Sequence, residues 1–145
     1  MAISRCYVGI SPKAPPSDDR PGSRQTLASR IRYHYNGNAE GSTLRLTLGC
    51  LLRDELGLDL RRVGSGRRLT FTVEGEQRLS AWMSDHALVV WTETPQPWLL
   101  EVKLLRELVL PLNLDGNRHH PFRERLSALR KAARVRARAF PVITR

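Results

Sequence analysis

RCYVGISPK, residues 5–13, is the stretch on which the reading of this chain turns. Its centre, Tyr7-Val8-Gly9-Ile10, is aromatic and β-branched around one glycine, so a strand is expected over residues 5–10. The next segment, SPKAPPSDDRPG (11–22), holds four prolines and a glycine and is expected to be a loop. An ordered loop of that length in a small domain is more often functional than incidental.

Beyond the loop, Ser23 is placed to cap a helix, RQTLASRIRYHY, in which Leu27, Ile31 and Tyr35 share one face. Arg30 and His34 are four apart and share another. NGNAEGS (36–42) breaks that helix, and Ser42 or Thr43 starts a second, TLRLTLGCLLRDEL, ended by Gly57. RLTFTV (68–73) reads as a strand, EGEQRLSAWMSDH (74–86) as a helix and ALVVWTE (87–93) as a buried strand. Pro97 suits the first turn of a helix through WLLEVKLLRELV that Pro111 ends, and Pro121 opens a last helix, FRERLSALRKAARVRAR.

Several chemistries are excluded on composition. No run of about 18 apolar residues exists, so a membrane span is not expected, and neither is a signal segment. Two cysteines, Cys6 and Cys50, are too few for a disulfide framework and fit reduced thiols in a cytoplasmic protein. His119-His120 has no further ligand at zinc spacing, and Gly64-Ser65-Gly66 lacks the Lys-Ser/Thr of a phosphate loop and reads as a turn. The charge points the other way. With 24 Lys and Arg against 14 Asp and Glu, the net charge is +10, which attracts polyanions. Nearly all of it is arginine, whose planar fork suits bidentate phosphate contact. Seven basic residues lie between positions 123 and 138, Arg130 and Arg134 among them, and form a surface able to track a phosphate backbone.

Four features fall in order along the chain: Tyr7-Val8-Gly9 on an early strand, Arg30 with His34 on the following helix, Glu101 inside an apolar helix, and Asn113 beyond it. This order resembles the GIY-YIG nuclease superfamily over roughly residues 5–115, and the interval from Glu101 to Asn113 is similar to that of its excision-repair branch. The resemblance implies an α/β (α+β) domain, a small central sheet of about three strands flanked by helices, over residues 1–115. Residues 116–145 are expected to add a basic helical extension. It further implies an endonuclease that hydrolyses DNA with one divalent ion, Mg²⁺ or Mn²⁺. By the same resemblance Glu101 holds the metal, Arg30 the phosphate and Tyr7 the attacking water, with His34 assisting. Gly9, Ser11, Lys13, Arg32 and Asn113, with Arg130 and Arg134, are expected to contact substrate.

The chemistry accounts for those residue types. Phosphodiester hydrolysis needs an aligned water and relief of charge on the phosphate oxygens. A hard cation wants carboxylate oxygen and keeps several waters, so one glutamate can anchor it. A guanidinium stabilises the developing charge. The family's Gly-Ile-Tyr strand is expected before Tyr7, and only Met1 to Cys6 precede it in this sequence, which leaves two accounts open: a start that lies upstream, or a chain without that strand and its tyrosine. Two alternatives stay open: a binding module without catalysis on the same scaffold, and an interaction domain whose strand edge recruits a partner.

Overall fold

The structure, a computed structural model, describes residues 6–17 and 21–143. Arg5 of the expected first strand and residues 18–20 of the expected loop lie outside them. The fold is α+β: six helices and a two-stranded antiparallel sheet among the described residues. The chain divides into two compact units, one drawn from residues 1–31 and 89–123, the other from 32–88 and 124–145.

In the first unit, Cys6–Ile10 is extended but forms no strand. A strand needs a neighbouring backbone, and this segment has other partners instead: Leu112 N–H donates to Cys6 O at 3.0 Å, and the Asn113 side chain takes both backbone groups of Val8. Helix α1, Leu27–Asn36, starts three residues later than expected from a Ser23 cap. Thr26 serves instead: its Oγ1 accepts from Ser29 N–H at 3.1 Å, and its carbonyl accepts from Arg30 N–H.

ALVVWTE (87–93) is likewise not a strand. Beyond Ala87, no described residue hydrogen-bonds its backbone, and its apolar side chains stand in solvent, Val90 91% and Trp91 66% exposed. Without a ladder partner, β-branched residues have nothing to pack across. The expected sheet of about three strands is thus corrected to two among the described residues.

The second unit carries the main core. Helix α2 (Thr43–Leu51) is capped by Ser42, whose Oγ accepts from Arg45 N–H at 3.2 Å. The expected single helix breaks at Leu52 into a short α3, Arg53–Leu56. Gly57 closes it with φ +60°, a left-handed conformation that a side chain would disfavour.

Strand β1 (Leu60–Val63) pairs with β2 (Arg68–Phe71), Leu60 opposite Phe71 and Val63 opposite Arg68. Gly64-Ser65-Gly66 is the turn between them, as its composition suggests. Two arginines at the middle of β1 hide the strand from a hydropathy reading. Helix α4 (Val73–His86) follows, capped by Thr72. Cys50, Leu58, Leu60, Phe71, Leu79, Met83, Ala133 and Ala137 close the core, each large aliphatic side chain contributing roughly 1.5–3 kcal/mol of burial.

The remaining helices are α5, Pro97–Glu107 in the first unit, with Pro97 in its first turn, and α6, Phe122–Ala139. On α5 the buried residue is Leu105, while Leu100, Leu104 and Leu108 are half-buried. No helix of the described residues is long and apolar enough to cross a membrane.

Candidate active site

Three elements of the first unit bring Tyr7, Arg30 and Glu101 together. Tyr7 rides on the extended segment that Asn113 holds. Val8 N–H donates to Asn113 Oδ1 at 2.9 Å and Asn113 Nδ2 donates to Val8 O at 2.9 Å, so one buried carboxamide replaces a neighbouring strand. Asn113 is held in turn within its turn, its N–H donating to Leu110 O, and its own carbonyl accepts from Asn117 Nδ2 at 3.3 Å. Gly9 lets the Tyr7 ring fold back over its own backbone: a Cβ there would lie 2.9 Å from Tyr7 Cε1 and 3.2 Å from its hydroxyl oxygen.

Burial pushes the Tyr7 phenol above its ordinary value, and the Arg30 guanidinium, hydrogen-bonded to it, pulls the other way, with Glu101 adding a smaller push upward. Tyr7 is therefore a neutral hydroxyl at neutral pH, able both to donate and to accept. Arg30 is half-buried in α1 beside it. Glu101, half-buried in α5, is also pushed above the usual carboxylate range, chiefly by burial, while the Lys13 ammonium opposes the shift. Among the described residues Glu101 has no hydrogen bond and no ion pair. A carboxylate that has lost water without gaining a donor fits a hard cation, which supplies the missing charge. No group of three His, Cys, Asp or Glu residues lies together among the described residues, so a closed, all-protein metal cage is not what this site offers.

The other expected site residues are spread more widely. Ser11 Oγ donates to Gln25 O at 2.7 Å, tying the start of the proline loop to the approach of α1, and Lys13 is exposed beside it. His34, one turn after Arg30, belongs to the second unit, where it is only 8% exposed and its Nδ1 lies 2.7 Å from Ser42 Oγ of the same unit. Arg32 is exposed on α1, and Arg130 and Arg134 lie on α6, half-buried and exposed respectively.

One buried constellation escaped the sequence reading. Arg45 is wholly buried, with Nε and Nη2 donating to Glu76 Oε2 at 3.0 and 2.7 Å and Nη1 donating to the carbonyls of His34 and Tyr35. Glu76 Oε1 accepts from Ala39 N–H, Thr70 Oγ1 and Phe71 N–H. Every charge in this knot is answered by a partner, and it joins the end of α1, α2, β2 and α4. Its signal was available: an arginine at the third position of the apolar TLRLTLGCLL needs a reason to be there.

Comparison with known domain families matches residues 3–132 to the GIY-YIG catalytic domain. The chain belongs to that family, a nuclease family that acts on nucleic acid and is generally metal-dependent. No curated protein and no solved structure matches it significantly.

Proposed function

We propose that the protein is a metal-dependent endonuclease that hydrolyses DNA phosphodiester bonds at the Tyr7–Arg30–Glu101 cluster. The observation that supports it most is the convergence of these three side chains, from the Cys6–Ile10 segment and two helices, with a half-buried carboxylate that has no protein donor among the described residues. In this reading Glu101 holds one Mg²⁺ or Mn²⁺, and the bound ion supplies charge neutralisation at the phosphate oxygens. Arg30 binds the scissile phosphate and stabilises the charge that builds on it. The Tyr7 hydroxyl, neutral and oriented by Arg30, positions the attacking water by hydrogen bonding rather than acting as a preformed phenolate.

Lys13 steers the phosphate toward Glu101, with Ser11 fixing the loop that carries it. Gly9 and Asn113 act through Tyr7, one by leaving space for its ring and the other by holding its backbone. His34 serves the site by locking the last turn of α1 onto Ser42, and Arg32, Arg130 and Arg134 contribute phosphate contacts.

The test is cleavage of supercoiled plasmid and of branched DNA with Mg²⁺ or Mn²⁺, beside Glu101→Gln. Metal-dependent cutting by the parent alone is expected. A second reading, binding without catalysis, is favoured by the seven basic residues carried on α6. It predicts salt-sensitive binding that neither needs metal nor responds to Glu101→Gln.

A further inference from the structure

Helix α6 holds seven basic residues and one acidic one, Glu124, in eighteen positions. Its inward stripe is small and apolar: Leu126, Ala133 and Ala137 are buried, with Leu129 half-buried against the core. At 100° per residue the basic side chains do not scatter around the rest of the surface. Arg130, Arg134 and Arg138, four apart with Lys131 beside them, run along one flank. Arg125 and Arg136, eleven apart and hence three turns, lie on the opposite flank. Between the flanks, facing solvent, stand Ala128, Ala132, Val135 and Ala139, all exposed.

Four of the seven cations are not paired with any described acidic neighbour. Among the described residues Lys131, Arg134, Arg136 and Arg138 have no carboxylate partner. The helix that carries them is firmly mounted within its unit. Arg62 Nη2 donates to the carbonyls of Arg138 and Phe140, at 3.3 and 3.0 Å, and Arg61 Nη2 donates to Pro141 O at 3.1 Å. The Arg61 guanidinium also lies over the Phe140 ring, 4.9 Å from its centroid. Arg62 thus satisfies a carbonyl in the last turn of α6, where positive charge is favoured, and Arg61 one just beyond it. Val63 and Ile143 then bridge the chain end to β1.

We propose that the outer face of α6 is a docking surface for double-stranded nucleic acid, seated in the major groove with each flank's arginines on one phosphate strand. A groove about 12 Å wide admits a helix of roughly that diameter. A ridge of alanine and valine lets the helix enter closely, and rows of guanidinium on both sides reach the phosphates that border the groove. The ridge offers no donor or acceptor for base edges, so binding is independent of sequence. A membrane surface is the poorer partner, because the ridge lacks the Trp, Phe or Leu that would enter the acyl boundary. The proposal rests on the nucleic-acid side of the function proposed above and not on its catalytic side.

Affinity for a 20-base-pair duplex, measured by fluorescence anisotropy against NaCl concentration in EDTA, tests it. The variant is Arg134→Gln with Arg136→Gln and Arg138→Gln, three exposed side chains whose loss leaves the core intact. A charge-matched control replaces Arg24, Lys103 and Arg106 by Gln. Each lost phosphate contact lowers the slope of log affinity against log salt by about 0.9. The α6 variant should therefore lose about 3 from the slope, the control clearly less, and two duplexes of unrelated sequence should bind alike. Duplex should also bind more tightly than vesicles of anionic lipid. Equal slopes for parent and α6 variant overturn the proposal alone, as does a preference for vesicles. A parent that binds no DNA even at 50 mM salt overturns both the proposal and the function it rests on.

Discussion

Glu101 sits in WLLEVKLLREL, where a carboxylate on a mostly apolar helix has to be either solvated or used. The structure half-buries it and gives it no protein donor among the described residues, and burial raises its pKa. A carboxyl whose folded pKa is raised stabilises the fold below its unfolded value, about 4.3, and that contribution is lost as pH rises through the folded value. Metal-free Glu101→Gln should therefore melt at a higher temperature than the parent at pH 7, with the two converging below pH 4; calorimetry across pH checks it. Cleavage should show the opposite demand, falling on the acid side at a pH above the ordinary glutamate value, because only the ionised carboxylate holds a cation.

Tyr7→Phe keeps the ring over Gly9 but removes the hydroxyl. The expected loss is on the order of 10²–10⁴-fold in cleavage rate, with duplex affinity unchanged, read by single-turnover kinetics. Residue types and their order singled out Tyr7, Arg30 and Glu101 in the sequence, and the structure brings the three together. His34 was legible as a neighbour of Arg30, but its buried contact with Ser42 Oγ depends on a loop that folds back, and spacing along one helix says nothing of that.

At the scale of elements, the helices and β2 were readable in the sequence, whereas β1 was not and two other expected strands do not form. Apolar spacing, the Ser42 cap, Pro97 and Gly57 located α2, α4 and α5 to within a few residues, with α3 read as the end of α2. Residues 6–10 and 87–93 have strand composition, yet composition cannot supply the neighbour that a ladder requires, and neither forms one. Conversely β1, with two arginines at its centre, has a poor strand composition and does form, because β2 lies opposite.

Asn113 compensates at residues 6–10 with its two bonds to Val8. Asn113→Asp turns the donor toward Val8 O into an acceptor, and should cost roughly 1–3 kcal/mol locally and most of the activity. Faster hydrogen exchange at Val8, without change at Leu79 or Met83, is the measurement. The Arg45–Glu76 knot governs the other unit. Glu76→Gln leaves a wholly buried guanidinium without its counter-charge, a loss of about 3–5 kcal/mol that urea denaturation should record.

For the molecule as a whole, the charge is distributed by task. Single cations, Arg30 and Lys13, stand beside the carboxylate in one unit, while the array on α6 belongs to the other. The account separates chemistry from holding, so a variant can lose one and keep the other. The most direct measurement is plasmid nicking with Mg²⁺ or Mn²⁺ by the parent and by Glu101→Gln, each paired with duplex affinity. The account predicts metal-dependent nicking by the parent, none by the variant, and equal affinities within about twofold. Nicking that survives in Glu101→Gln would contradict it, and so would a parent that binds duplex tightly yet cuts nothing with either metal.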